Sequence, residues 1–225
     1  MKKYLTILFA VISAVLLSSC AREINWSSLA PEDPVLTIGD AAYTFDQLRF
    51  SYAEEKVAYD IVNEYYNDGA LDFEDYELSM NRVFNDFQCK AVLSALADME
   101  GNGLSAADAA ASAKETYIDS AELMPAFDAY LGKIKEELAI DDAALVDYGA
   151  LSVKLYADSS KIAEREYTAL LAENPGISKE DLANKLAARL AEITKSISAK
   201  NAVTKMKIIP NFTDFAVDFV DTHNS

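Results

Sequence analysis

The sequence is short of the residues from which most catalytic and metal centres are built. It holds one histidine, two cysteines and seven scattered glycines. The histidine, His223, stands beside the C-terminus, which excludes a Ser-His-Asp or Cys-His site inside the folded body and the Glu-x-x-His pairs of di-iron bundles. Zinc would need Cys or His ligands that are not present in number. No G-x-x-x-x-G-K phosphate loop occurs. An enzyme is therefore not expected, nor is a cofactor or a bound metal. Basic charge is scarce too: 20 lysines and arginines face 37 acids, a net charge of −17. Nucleic acid is a poor partner for such a chain. Its acidity fits a self-repelling body held off an anionic membrane. Because acids are so common, a run such as "FEDYE", 73–77, reads as a solvated helix start, with a weak cation site as the alternative.

What is present begins at the N-terminus. Lys2 and Lys3 precede thirteen residues without charge, Leu5 to Leu17, the pattern of a secretory signal. The run is shorter than the roughly 20 residues of a membrane span. It closes in Leu17, Ser18, Ser19 and Cys20, which resembles the bacterial lipoprotein box. The expectation is a signal peptide over 1–19, lipidation of Cys20, and a short tether over 20–34 that contains Pro31 and Pro34. Removal of the signal takes two lysines and no acid, which leaves 18 bases against 37 acids and a net charge of −19. An ordinary signal cleaved nearby would leave Cys20 a thiol. If it is lipidated, Cys20 cannot pair with Cys89, which then behaves as a small buried hydrophobe. Two or more acyl chains anchor stably, so the protein is expected in the bacterial cell envelope, tethered to a membrane and facing outside the cytoplasm.

From 35 to 225 the pattern is mostly α. "VLTIGDAAYTF", 35–45, reads as a short hairpin turning at Gly39-Asp40. Thr44 and Gln47 have capping-box spacing, and the row Phe45, Leu48, Tyr52, Tyr59, Val62 and Tyr66 predicts a helix that Asn67, Asp68 and Gly69 end. A second helix is read from Asp72 to Met99, apolar over so much of its circumference that it should be central. In "DMEGNGLSAAD", 98–108, the first half imitates a calcium loop, but the twelfth position is Ala109 where a glutamate is needed. The sequence reads instead as a helix break followed by a Ser105–Asp108 cap. An alanine-rich helix stops before Pro125, and Phe127, Leu131, Ile134 and Leu138 mark the next. Asp141 caps a long helix through Tyr148, Leu151, Leu155 and Ile162 that stops at "ENPG", 173–176. Ser178 and Asp181 open the last long helix, through Leu182, Leu186, Leu190, Ile193 and Ile197. "AVTKMKII", 202–209, reads as a strand, and the tail with Phe212, Phe215 and Phe219 is expected to pack back on the body. The economical arrangement pairs the strands near the two ends. Trp26, in the tether, is expected to pack on the domain or to sit near the lipid.

This order of elements, with "TFDQL" at 44–48, "LSAAD" at 104–108 and "TKMKIIP" at 204–210, resembles the SurA and PrsA chaperone module, whose fold is shared with the substrate-binding arm of trigger factor. The likeness spans residues 35–210. It implies one helical chaperone domain, joined from its two ends, that holds unfolded or partly folded exported proteins. The parvulin isomerase domain often inserted in that family has no counterpart here, so isomerase activity is not implied. The family supplies no catalytic motif to carry over, and client-binding residues are not assigned. Two other readings stay open. One is an interaction lipoprotein that docks a single envelope or surface partner. The other is a hydrolase using carboxylates, which needs acids converging in a pocket with perturbed pKa values.

Overall fold

A computed structural model describes residues 25–66, 79–120, 125–200 and 210–223. The signal stretch, Cys20, the "FEDYE" run, the helix stop at Asn67–Gly69 and the strand expected over 202–209 lie outside the described residues, and so does any pairing of that strand.

The described chain is mostly α, with one two-stranded antiparallel sheet near the N-terminus. Strands β1 (Pro34–Ile38) and β2 (Ala41–Thr44) pair with Leu36 opposite Tyr43 and Ile38 opposite Ala41. The helices are α1 (Phe45–Tyr66), α2 (Met80–Met99), α3 (Ala106–Lys114), α4 (Pro125–Leu138), α5 (Asp142–Glu173), α6 (Lys179–Lys200) and α7 (Phe212–His223). A single π turn, Glu115–Asp119, extends α3.

The caps read from the sequence are in place. At the start of α1 the Thr44 N–H donates to Gln47 Oε1 at 2.9 Å, and the Gln47 N–H donates to Thr44 Oγ1 at 3.4 Å. Ser105, Asp141 and Ser178 each accept a first-turn N–H, at 3.1, 2.9 and 3.1 Å. Each satisfies a donor that the helix itself leaves unpaired. The start of α2 differs from expectation. Ser79 is extended and its hydroxyl accepts the Arg82 N–H at 3.2 Å, so α2 opens at Met80; the start expected at Asp72 lies outside the described residues. An acidic turn favours a helix start through its charge alone, whereas a hydroxyl cap also fills a hydrogen bond.

The calcium-like stretch is a turn. Gly101 takes the left-handed conformation, φ 72°, and Asp98 Oδ1 accepts from Lys154 Nζ at 2.8 Å. Trp26 packs on the domain: its ring stacks on Phe45 and meets Phe84 edge-on, and its Nε1 donates to Asn81 at 2.9 Å.

The apolar side chains form two cores. The larger draws on β1, the start of α1, α2, the C-terminal half of α5, α6 and α7. There α2 is central, as its sequence implies, with Val83, Phe84, Phe87, Leu93 and Leu96 all buried. Phe212, Phe215 and Phe219 pack back into this core. Cys89 is a free thiol buried within it. It donates to the Asn211 carbonyl at 3.4 Å, and burial pushes its pKa up.

The smaller core gathers Phe50, Ala53 and Val57 of α1 with Ala113, Tyr117, Leu131, Ile134, Leu138 and Leu145. Helix α1 thus buries two faces. The Phe45–Leu48–Tyr52 row meets the larger core, and a second row, absent from the sequence reading, meets the smaller. Helix α5 contributes to both cores over 32 residues, about 48 Å at 1.5 Å per residue.

Candidate functional site

The two rows that α1 buries leave Glu55 and Tyr59, one turn apart, on a third side. Helix α2 presents Arg82, Asp86 and Lys90 toward the same space, again at one-turn intervals. Helix α5 adds Tyr156, and α7 adds Asp214, Phe215, Asp218 and Phe219. Together these four helices wall a cleft of about 500 Å³. A recess of about 240 Å³ shares Glu55, Asp86, Lys90 and Tyr156 with it and ends at Glu54, Tyr117 and Ser152. Tyr156 is 65 % exposed although it is a large aromatic. It lies one position past Leu155, off the buried row of α5.

Helix α7 is fixed at both ends, which sets the width of the cleft. At its start Asn85 and Asn211 exchange two hydrogen bonds. The Asn85 amide donates to the Asn211 carbonyl and the Asn211 N–H donates to Asn85 Oδ1, both at 2.8 Å. At its end the His223 ring stacks on Phe219 with centroids 4.0 Å apart. His223 Nδ1 lies 2.8 Å from the Phe219 carbonyl and Nε2 lies 3.0 Å from Glu164 of α5. Both ring nitrogens thus lie within hydrogen-bond reach of an oxygen.

The charges of the cleft are crowded. Burial pushes the Glu55 carboxyl above the ordinary glutamate value, and the like charge of Asp86 adds to this while Lys90 and Arg82 offset it. Asp218 is raised by burial as well, with Arg82 opposing and Asp86, Asp214 and Asp221 adding. Burial works against the Lys90 ammonium. Even so, the Asp86 carboxylate 2.6 Å away, with Glu55 and Glu54, holds its pKa above the usual lysine value.

At the closed end of the recess Glu54 is also raised by burial. Its carboxylate accepts the Tyr117 hydroxyl at 2.6 Å and the Ser152 hydroxyl at 2.8 Å. The Tyr130 hydroxyl donates to the Glu54 backbone carbonyl at 3.2 Å. Both carboxylate oxygens of Glu54 are therefore engaged, and their role is to tie α1 to the π turn and to α5. Glu55 and Asp218 face the open cleft. This arrangement can recognise a cation lying against an aromatic wall.

Among the described residues no group of three or more His, Cys, Asp or Glu is placed to hold a metal ion, and no helix is long and apolar enough to cross a membrane. Cys20 lies outside the described residues, as do the side chains of Tyr65 and Tyr66. The C-terminal phenylalanines, expected to pack back on the body, are buried, although Phe215 and Phe219 also border the cleft. The cleft itself was not read from the sequence. The available signal was Tyr156, an aromatic on the polar side of an amphipathic helix. The chain matches no family model, no curated protein and no solved structure.

Proposed function

We propose that this protein is a lipid-anchored holding chaperone of the bacterial envelope, which takes non-native segments of exported proteins into the cleft between α1, α2, α5 and α7. The observation that carries the reading is the cleft of about 500 Å³ with Tyr156 standing exposed on its wall. The ring shares one concave surface with Tyr59, Phe215 and Phe219, and an aromatic concavity rimmed by polar groups is the kind of surface that takes a ligand. Support comes also from the Lys2–Cys20 signal and lipobox, and from the hairpin-then-helices order that resembles the SurA and PrsA module. Holding requires no chemistry: binding the unfolded state lowers its free concentration and so its aggregation.

A second reading has an observation of its own. Among the described residues the lining of the cleft includes charged and aromatic side chains and no methionine or leucine, whereas adaptable Met-rich surfaces accompany promiscuous binding. Under that reading the same cleft docks one envelope partner.

Light scattering of an aggregating, chemically unfolded protein, with and without an equimolar amount of the chain from residue 21 onward, tests the first reading. Suppression across unrelated clients, with no acceleration of proline-limited refolding, is the expected result. Failure with several clients would overturn it and favour the single partner.

A further inference from the structure

Four carboxylates from three helices line the cleft: Glu55 on α1, Asp86 on α2, and Asp214 and Asp218 on α7. Against them stand Arg82 and Lys90, and Lys90 is already bonded to Asp86. Apart from His223, which is held by Glu164 and the Phe219 carbonyl, α7 has no basic residue, while it carries Asp214, Asp218 and Asp221. The lining also holds four aromatic rings, Tyr59, Tyr156, Phe215 and Phe219, beside small and polar residues such as Ala58, Ser159 and Ser160. Aromatic faces attract cations, and cation–aromatic contacts strengthen when water is excluded.

We infer that the cleft selects apolar client segments that carry a lysine or arginine, with the cation placed between Glu55 and Asp218 and its stem or an adjacent apolar side chain against Tyr156. This rests on the holding function proposed above and names the class of segment held. The raised pKa values of Glu55 and Asp218 agree with it, since both stem from burial and from neighbouring negative charge that a guest cation would relieve. Room for an apolar neighbour of the cation comes from the adjoining recess of about 240 Å³, which passes Phe87, Val153 and Leu155. The chain as a whole, at −17, draws positive segments toward it.

The test is fluorescence anisotropy of two short, end-capped peptides of leucine and phenylalanine, one with interspersed lysines and the other with glutamates at the same places. They are titrated with the full chain in a non-ionic detergent. The lysine peptide is expected to bind at least about tenfold tighter. Asp218→Asn and Glu55→Gln should each weaken it about fivefold, the scale of a part-exposed charge pair. Glu136→Gln, on the exposed side of α4 away from the cleft, should leave it unchanged. Equal affinity for the two peptides, or a preference that survives both cleft substitutions, would overturn the inference. The two proposals fail separately. Suppressed aggregation with no charge preference removes the selectivity and leaves the holding function, whereas charge-selective binding without suppression removes the holding function and leaves the ligand class.

Discussion

Each core is crossed by a carboxylate, and the two are satisfied in different ways. In the larger core Asp158, 1 % exposed, accepts from Lys154 Nζ at 2.8 Å, from Ser94 Oγ at 2.6 Å and from the Leu104 N–H at 2.7 Å. In the smaller core Glu54 has two hydroxyl donors and no cation bonded to it, and burial raises its pKa. Hydroxyls satisfy the lone pairs of a carboxylate without cancelling its charge. Asp158 therefore belongs to an ion-pair network that needs every member. Glu54 is an anion whose charge opposes folding while its hydrogen bonds favour it.

The sharpest test of the contrast is Asp158→Ala, which strands the Ser94 hydroxyl and the Leu104 N–H, while the Lys154 ammonium keeps Asp98 and the Leu104 carbonyl. The expected loss is about 2–4 kcal/mol, from two buried donors left without an acceptor at roughly 1–3 kcal/mol each, measured by urea denaturation. A loss under about 1 kcal/mol would show that the network adds little.

Next in size is Gly149→Ala, in the smaller core. A Cβ there would come within 2.5 Å of the Tyr117 ring, so the ring that reaches Glu54 must move. Overpacking of this kind costs about 1–3 kcal/mol. Gly132→Ala on α4 has nothing within 4 Å of the new Cβ and is the matched control, expected to gain up to about 1 kcal/mol.

The pH dependence separates the two carboxylates directly. Because the folded pKa of Glu54 lies above its ordinary 4.5, its protonated form is favoured by folding. That stability is complete below 4.5 and is lost as the pH rises through the higher folded value. Glu54→Gln should therefore gain on the wild type as the pH rises from 4.5 toward neutrality. A difference between the two proteins that stays flat with pH would contradict the burial argument.

The smallest effect is expected where α4 meets α5. Ala139 sits at φ 53°, a left-handed residue with a side chain, and Ala139→Gly should stabilise by about 1 kcal/mol. Thermal unfolding would report it as a rise in Tm.

Much of this was legible in advance because it is local. Thr44, Ser105, Asp141 and Ser178 announce helix starts through spacing alone, and Phe127, Leu131, Ile134 and Leu138 announce a buried face. What stayed hidden depends on which helices meet. Phe50, Ala53 and Val57 look like ordinary residues beside the row that the periodicity picks out, until α4 and the π turn cover them. Asp158 reads as one more acid in an acidic chain, and nothing near it in sequence marks it as buried except Lys154 one turn earlier. The cleft could not be read for the same reason. Its lining comes from four helices, and no stretch of sequence holds more than a few of its residues.

The length of α5 has a consequence for how the protein comes apart. Since this one helix supplies Leu145 to the smaller core and Leu155, Ile162 and Leu170 to the larger, neither core can dissolve without stripping one end of it. Its middle turns, where Asp158 sits, are shielded until both have gone. Amide hydrogens there should exchange with solvent only when the whole domain opens, while those at the two ends report each core's private openings.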